Sequence, residues 1–400
     1  VTDPARASST VAPSTDASGA DTAPGGVRPG VTVDDLVGGT RRLDGQVRIV
    51  GTGLLGTSIG LRLREHGVDV ILDDASPAAR SLAVDYGAGR VAADGDAPVL
   101  VVVAVPPDVT AEIVHRELDA HPEALVTDVA SVKVAPLDEL RARGADVSRY
   151  IGSHPMAGRE RGGAVSARAD LFAGRPWVIA GHDDITYRRA AAVEDLALDL
   201  GATPIEMTPE EHDAGVALVS HVPQVVASLM ATRLRDAPDA SLGLAGGGVR
   251  DVTRIAASDP ALWVQILGAN ASRVVDVLRD LRDDLDGVIA ALADPSAPGA
   301  RRTVAEAIGA GNTGVARLPG KHGQSTRFSS VVVIVDDAPG QIARLLADIG
   351  DIGVNLEDLR LEHSPGAQVG LAEVSIVPEQ EERLVAELEG RGWTVSGAFA

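Results

Sequence analysis

The sequence predicts an α/β chain in three folded parts: a doubly wound parallel sheet, an all-helical segment, and a small α+β module. Three observations carry that prediction. Short Val-rich runs alternate with helical stretches between residues 45 and 205, as expected for strands buried on both faces of a parallel sheet and joined by helices. Residues 206–312 keep helical periodicity throughout. From 327 to 400 the signals run strand, helix, strand, strand, helix, strand, a βαββαβ order. A length of 400 residues suits two or three domains.

Taken in order, residues 1–44 are read as a disordered tail. Residues 1–32 use only Val, Thr, Asp, Pro, Ala, Arg, Ser and Gly, too little large apolar surface to offset the entropy of ordering. In the domain spanning 45–205, strands are expected at 47–51, 68–73, 99–105, 124–129 and 176–180. Helices are expected at 55–66, 77–86, 108–120, 132–143 and 185–200, with a last strand at 203–206. The helical domain, 206–312, opens with a capping box. Thr208 caps, Pro209 takes the first helical position, and Glu211 completes the box. Val216, Val219, Val222, Val226 and Leu229 then recur at helical spacing, and Pro223 should kink that helix. Further helices are expected at 260–280 and 281–293. Their apolar load predicts burial against a second copy, a homodimer. A Pro/Gly-rich linker, 313–326, leads to the module at 327–400.

Composition narrows the function. Hydrophobic residues make up 45% but aromatics only 2%, so the cores are packed from Ala, Val, Leu and Ile. A net charge of −21 argues against nucleic acid or an anionic membrane as partner. With no cysteine, disulfides, thiolate metal sites and cysteine nucleophiles are excluded. No apolar run stands out as membrane-spanning, and the N-terminus lacks a secretory layout. The expectation is a cytoplasmic protein.

Three motifs in order carry the chemistry. GTGLLG at 51–56 follows an expected strand and opens a helix. Gly51, Gly53 and Gly56 permit a tight turn and close approach of a pyrophosphate, while the Leu54 and Leu55 end of the helix supplies N–H donors. Asp73 lies 20 positions after Gly53, at the end of the second expected strand. There a carboxylate accepts from ribose hydroxyls and repels a 2′-phosphate, favouring NAD. Neighbouring Asp74 leaves open which acid does so. Val105 and Pro106, beyond the next strand, suit an apolar wall of the same crevice or a plain strand terminator.

GSHPMAG at 152–158 places His154 just after a strand, where an imidazole can accept a hydroxyl proton. In TDVASVK, Ser131 is either a hydrogen-bonding group or a helix cap, and Lys133 adds local positive charge. GGGVRDVTRIA at 246–256 brings Gly247, Arg250, Asp251 and Arg254, with Arg254 able to grip a carboxylate bidentately. Trp263 walls that pocket or fills the core. His221 reads on periodicity as a core or interface histidine. In the last module, Pro339, Gly340 and Asn355 could hold a small amino acid by its charged ends or serve as turn punctuation.

Assembled, GSHPMAG, the Asp128–Ser131–Lys133 spacing, VSHxP and GGxxRDxTRIA followed by Trp263 resemble the prephenate dehydrogenase family, in the form with a C-terminal ACT regulatory domain. The resemblance runs from about Val47 to the end. It implies a Rossmann-type domain, a helical dimerisation domain and an ACT-like module. It also implies an NAD-dependent oxidoreductase that decarboxylates prephenate to 4-hydroxyphenylpyruvate, towards tyrosine. His154 would then deprotonate the ring hydroxyl, Ser131 would orient it, and Arg254 would bind a carboxylate. His221 would help seat the side chain, and Glu160, Asp251 and Trp263 would gate and orient the pocket. No metal is required, because loss of CO₂ and aromatisation drive the reaction. The module would sense tyrosine through Pro339, Gly340 and Asn355. Alternatives are arogenate as substrate, a β-hydroxyacid or imine reductase, and an inactive NAD- and amino-acid-binding sensor.

Overall fold

The computed structural model describes residues 41–158, 162–185, 187–318, 328–363 and 369–396. These divide into two compact units at the Ala214–Gly215 boundary.

The first unit is built on eight strands: β1 (Gln46–Val50), β2 (Asp69–Asp73), β3 (Arg90–Val91), β4 (Pro98–Val103), β5 (Leu125–Asp128), β6 (Tyr150–Pro155), β7 (Pro176–Ala180) and β8 (Thr203–Met207). Their order in the sheet is β3-β2-β1-β4-β5-β6-β7-β8. The first six strands run parallel, β7 opposes β6, and β8 follows β7. Strand order therefore reverses between β1 and β4, and in such sheets the ligand crevice opens at the carboxyl edge of that switch point. Helices α1 (Leu54–Glu65), α2 (Pro77–Asp85), α3 (Pro107–Ala120), α4 (Val134–Ala142) and α5 (Tyr187–Asp199) lie between the strands.

Period-two alternation explains the two layers of core. Along β4, Leu100 and Val102 pack with Ile49, Val70 and Leu72, while Val101 and Val103 pack on the other face with Val114, Leu118 and Leu140. Each such side chain contributes about 1.5–3 kcal/mol by leaving water. The little aromatic mass is placed centrally: Phe172 and Trp177 are fully buried and meet edge to face at 5.3 Å.

Two expectations need correction here. Ordered structure starts before residue 45: the Arg42 and Leu43 amides donate to the buried Asp199 carboxylate at 3.0–3.1 Å, and Leu43 joins the core. His154 lies within β6, opposite Val178, not after a strand.

The chain leaves this sheet through α6 (Pro209–Val216), a π turn (Ala217–His221) and α7 (Val222–Leu234). The capping box forms as expected, with Thr208 N donating to Glu211 at 2.8 Å and Glu211 N to Thr208 Oγ1 at 3.2 Å. Pro223 lacks the N–H that a regular helix would use, and the π turn just before it accommodates the lost bond. The run Pro209–Leu234 is, by length and composition, long and apolar enough to cross a membrane, contrary to the sequence reading. Its first turn is instead tied by His212 and Asp213 into the polar interior of the first unit, as described below.

The second unit continues with α8 (Asp239–Leu242), α9 (Gly247–Thr253), a 3₁₀ turn (Arg254–Ala256), α10 (Pro260–Ala269), α11 (Ala271–Ala293) and α12 (Ala300–Val315). The break expected near residue 280 falls at Asn270, and the helical domain runs past 312 to Val315, so the linker begins later than expected. Leu218, Val219, Leu285, Ile289, Leu292 and Ile308 are exposed on these helices.

The C-terminal module comprises β9 (Ser329–Asp336), α13 (Gln341–Ile352), β10 (Asp358–His363), β11 (Val369–Ile376), α14 (Glu381–Gly390) and β12 (Thr394–Ser396). Its βαββαβ order matches the reading, and the strands form an antiparallel sheet in the order β10-β11-β9-β12. Val331, Val333 and Val335 face Leu345, Ile349, Leu384 and Leu388 in its core. Asn355 precedes β10 instead of opening it.

Replacing Asp199 with Ala leaves the Arg42 and Leu43 amides without their acceptor. The expected cost is about 1–3 kcal/mol, read as a lower urea midpoint. An unchanged midpoint would show that the docked segment contributes nothing to stability.

Candidate functional site

The glycine fingerprint sits at the switch point as its spacing requires. Gly51 follows β1 at φ +100°, where a Cβ would run into the Ala104 carbonyl. Gly56 packs against the Gly51 carbonyl oxygen, leaving no room for a side chain. Gly53 differs: it caps α1, and the space a Cβ would fill is open. That opening faces a cavity of about 580 Å³ lined by Gly51, Gly53, Asp73, Val105, Pro106 and Arg116. Leu54 and Leu55 form the first turn of α1, whose free amides complete an anion-binding end. These residues fit a bound dinucleotide.

Both acids line the cavity, and each already accepts three hydrogen bonds. Asp74 accepts from Thr52 N at 2.6 Å, Thr52 Oγ1 at 2.8 Å and Ser76 N at 2.8 Å. Asp73 accepts from the Asp74 amide at 3.0 Å and is ringed by Arg48 at 2.7 Å, Arg80 at 3.4 Å and Arg116 at 4.0 Å. A carboxylate offers about four lone-pair sites, so either acid keeps capacity for a ribose hydroxyl. The arginines were not anticipated as partners of Asp73.

Three strands from β1 along the same carboxyl edge is His154, nearly buried near the end of β6. Its Nδ1 lies 2.9 Å from Nε2 of His212, and His212 Nδ1 lies 2.7 Å from Asp213 Oδ1. Asp213 also accepts from the Lys133 amide at 2.8 Å and the Val134 amide at 3.0 Å. Burial works against this carboxylate, yet the bonds from His212, Val134 and Lys133 outweigh it and hold its pKa below the ordinary value. His212 is pushed the other way in charge terms: burial, its largest influence, favours the neutral ring.

Lys133 is buried, not a source of local positive charge at the surface. Its ammonium meets Asp128 and donates to the Ser153 carbonyl at 2.6 Å, while Tyr150 OH donates to the other Asp128 oxygen at 2.7 Å. Burial lowers the Lys133 pKa despite the Asp128 charge. Ser131 is half-buried at the end of β5 and does not cap α4, whose cap position is Lys133. No hydrogen bond joins it to His154 among the described residues.

In the second unit, the π turn delivers His221 to a buried position, with Asn270 at 3.2 Å from its Nδ1 and Trp263 edge-on at 6.1 Å. Gly247 opens α9, and the turn that follows carries Arg254. That turn is pinned by Gln224, which donates to Ser258 at 2.6 Å, and by Ser258 donating to the Ile255 carbonyl at 2.9 Å. Arg250, Asp251 and Arg254 are exposed, and no ion pair joins them among the described residues. Glu160 lies outside the described residues.

In the last module, Gly340 takes φ +90° at the cap of α13 beside Pro339, so this turn needs its glycine. Asn355 donates to Glu357 at 3.2 Å.

His212 and Asp213 were missed in the sequence. The available signal was a His–Asp pair set into the first turn of an otherwise apolar helix.

Known proteins share these features. The nucleotide-binding domain of prephenate dehydrogenases matches residues 59–206, and the dimerization domain of the same enzymes matches 208–306. A probable prephenate dehydrogenase of Streptomyces niveus is 36% identical over 86% of this chain and 98% of its own. The prephenate dehydrogenase of Aquifex aeolicus, crystallised with hydroxyphenyl propionate and NAD⁺, superposes with a TM-score of 0.60 at 26% identity, covering 68% of this chain and 99% of that one. Synechocystis arogenate dehydrogenase does so with a TM-score of 0.56 at 25% identity, over 67% and 99%.

Three histidines, buried His212 and half-buried His66 and His121, make stability depend on pH. Burial holds His212, His66 and His121 below their ordinary value of 6.5, with the Arg62 charge also acting on His66. Each is neutral in the fold, so on acidification the unfolded chain binds protons first. Stability is complete above the unfolded value and falls as pH drops towards the folded values. Thermal unfolding should move to lower temperature between about pH 7 and pH 5, and less steeply in His212→Gln. Identical slopes in both proteins would contradict a neutral buried His212.

Proposed function

This chain belongs to the prephenate dehydrogenase family, and we propose that it converts prephenate to 4-hydroxyphenylpyruvate by NAD-dependent oxidative decarboxylation. The observation that carries this reading is a held histidine, His154, at the same carboxyl edge that bears the dinucleotide fingerprint. A cofactor crevice and a base on one edge are what hydroxyl oxidation needs.

Bound NAD⁺ supplies the hydride acceptor. The Gly51–Gly56 turn and the first turn of α1 would hold its pyrophosphate, and Asp73 would accept from its ribose. His154 takes the hydroxyl proton as the ring carbon is oxidised, stabilising the developing carbonyl electrostatically. Ser131, which follows β5 next to β6, would orient the hydroxyl. Arg254, a guanidinium with no ion-pair partner among the described residues, binds a carboxylate, and His221 with Trp263 seats the rest of the substrate. Gly247 and Asp251 precede Arg254 in the sequence, and Asp251 would help to gate and orient that pocket. Loss of CO₂ with aromatisation then makes the reaction run forward.

Prephenate is preferred over arogenate because the family and the Streptomyces relative carry that substrate in their names. The exposed apolar side chains of the helical segment support a homodimer. The βαββαβ module supports an ACT-like sensor of tyrosine using Pro339, Gly340 and Asn355. A cytoplasmic setting suits both substrates.

Purified protein should produce NADH rapidly from prephenate and NAD⁺, and slowly or not at all from arogenate or with NADP⁺, with tyrosine slowing the rate. Faster turnover of arogenate would reverse the substrate assignment. His154→Asn should cut turnover at least about tenfold with NAD⁺ binding nearly intact. Arg254→Ala should raise KM by about tenfold to a hundredfold.

A further inference from the structure

The contacts of His154 extend past the reacting edge to a second imidazole and a carboxylate. We propose that His212 and Asp213 are positioning residues that fix His154 in the tautomer with its proton on Nδ1 and its lone pair on Nε2. This inference rests on the reading of His154 as the base.

The assignment follows from what each atom can do. Asp213 is an ionised carboxylate and can only accept. The atom facing it, His212 Nδ1 at 2.7 Å, must therefore donate. A neutral imidazole has a single N–H, so His212 Nε2 is left bare and acts as acceptor. The atom opposite, His154 Nδ1 at 2.9 Å, must in turn carry its proton. The lone pair of His154 is then on Nε2, which would receive the substrate's hydroxyl proton. As the O–H bond breaks, its electron pair stays with oxygen and becomes the new carbonyl bond, the C–H pair on the same carbon would leave as hydride to NAD⁺, and an N–H bond forms at Nε2. The resulting imidazolium donates from Nδ1 to His212, and Asp213, which stays ionised, offsets its charge through that ring.

The surroundings hold this arrangement in one direction. Asp213 is fixed by the Lys133 and Val134 amides at the start of α4. Lys133 and Asp128, the other charges acting on His212, come from the β5–α4 connection, and Tyr150 of β6 binds Asp128. The Lys133 ammonium also holds the Ser153 carbonyl, the residue before His154. The base is thereby positioned from its ring and from its backbone.

The chain gives a testable asymmetry. In Asp213→Asn the amide can donate to His212 Nδ1, which reverses both tautomers and places a proton on the base. We expect kcat to fall about a hundredfold or more, KM and NAD⁺ affinity to hold, and the acidic limb of kcat/KM to move to lower pH because a negative charge is gone. His212→Gln, whose amide oxygen can still accept from His154, should retain more activity than His212→Ala. A wild-type kcat and an unmoved limb in Asp213→Asn would overturn the inference.

Nitrogen-15 spectra of the ring nitrogens in the wild-type protein test the tautomers without turnover. Protonated Nδ1 on both His154 and His212 supports the chain, and protonated Nε2 on His154 overturns it. Because this measurement needs no substrate, it stands even if a variant fails to fold. If neither substrate is turned over by wild type, the functional reading fails while the tautomer result still decides the positioning.

Discussion

One buried carboxylate organises the carboxyl edge of the sheet around His154. Asp213 sits in the first turn of the helix that leaves the sheet, and it takes the two amides that open α4 as well as the His212 ring. Without it, two backbone donors and an imidazole would be left in a water-poor interior, each costing about 1–3 kcal/mol. The carboxylate thus joins the end of β5, the start of α4 and the start of α6 at one point. His154 inherits its orientation from that junction.

A second buried charge supports the same edge from below. Lys133, Asp128 and Tyr150 form a closed polar set inside an aliphatic core. Buried ions are costly unless every donor and acceptor is met. Here they are met by backbone as well as side chains, including the Ser153 carbonyl next to His154. Such a set contributes geometric definition to β6, the strand that bears His154, more than net stability.

Much of this architecture was legible in the sequence because it follows from local signals. Val-rich runs report burial on both faces of a sheet, so β1, β2, β4, β5 and β7 were placed within a few residues. The capping box placed the start of α6. Features set by tertiary partners were not legible. β6 reads YIGSHP, too short of apolar residues to show a pattern, and is a strand because β5 and β7 pair with it. The helix break falls at Asn270 because that side chain turns inward to His221. The docking of Arg42 and Leu43 depends on Asp199, more than 150 positions away. His212 was missed because its role depends on residues from three separate segments. For the same reason GSHPMAG singled out a histidine but not what held it.

The ring of arginines around Asp73 has a consequence for cofactor choice. One carboxylate stands against Arg48, Arg80 and Arg116, at the rim of a cavity that Arg116 itself lines. Asp73 does not stand alone against them: Glu117 pairs with Arg48 at 2.7 Å and with Arg116 at 2.8 Å, and Asp74 and Glu112 line the same cavity. Acids and arginines thus alternate along this rim. A phosphorylated ribose would meet several carboxylates there as well as the arginines, so discrimination between the two nicotinamide coenzymes would be shared among several charges.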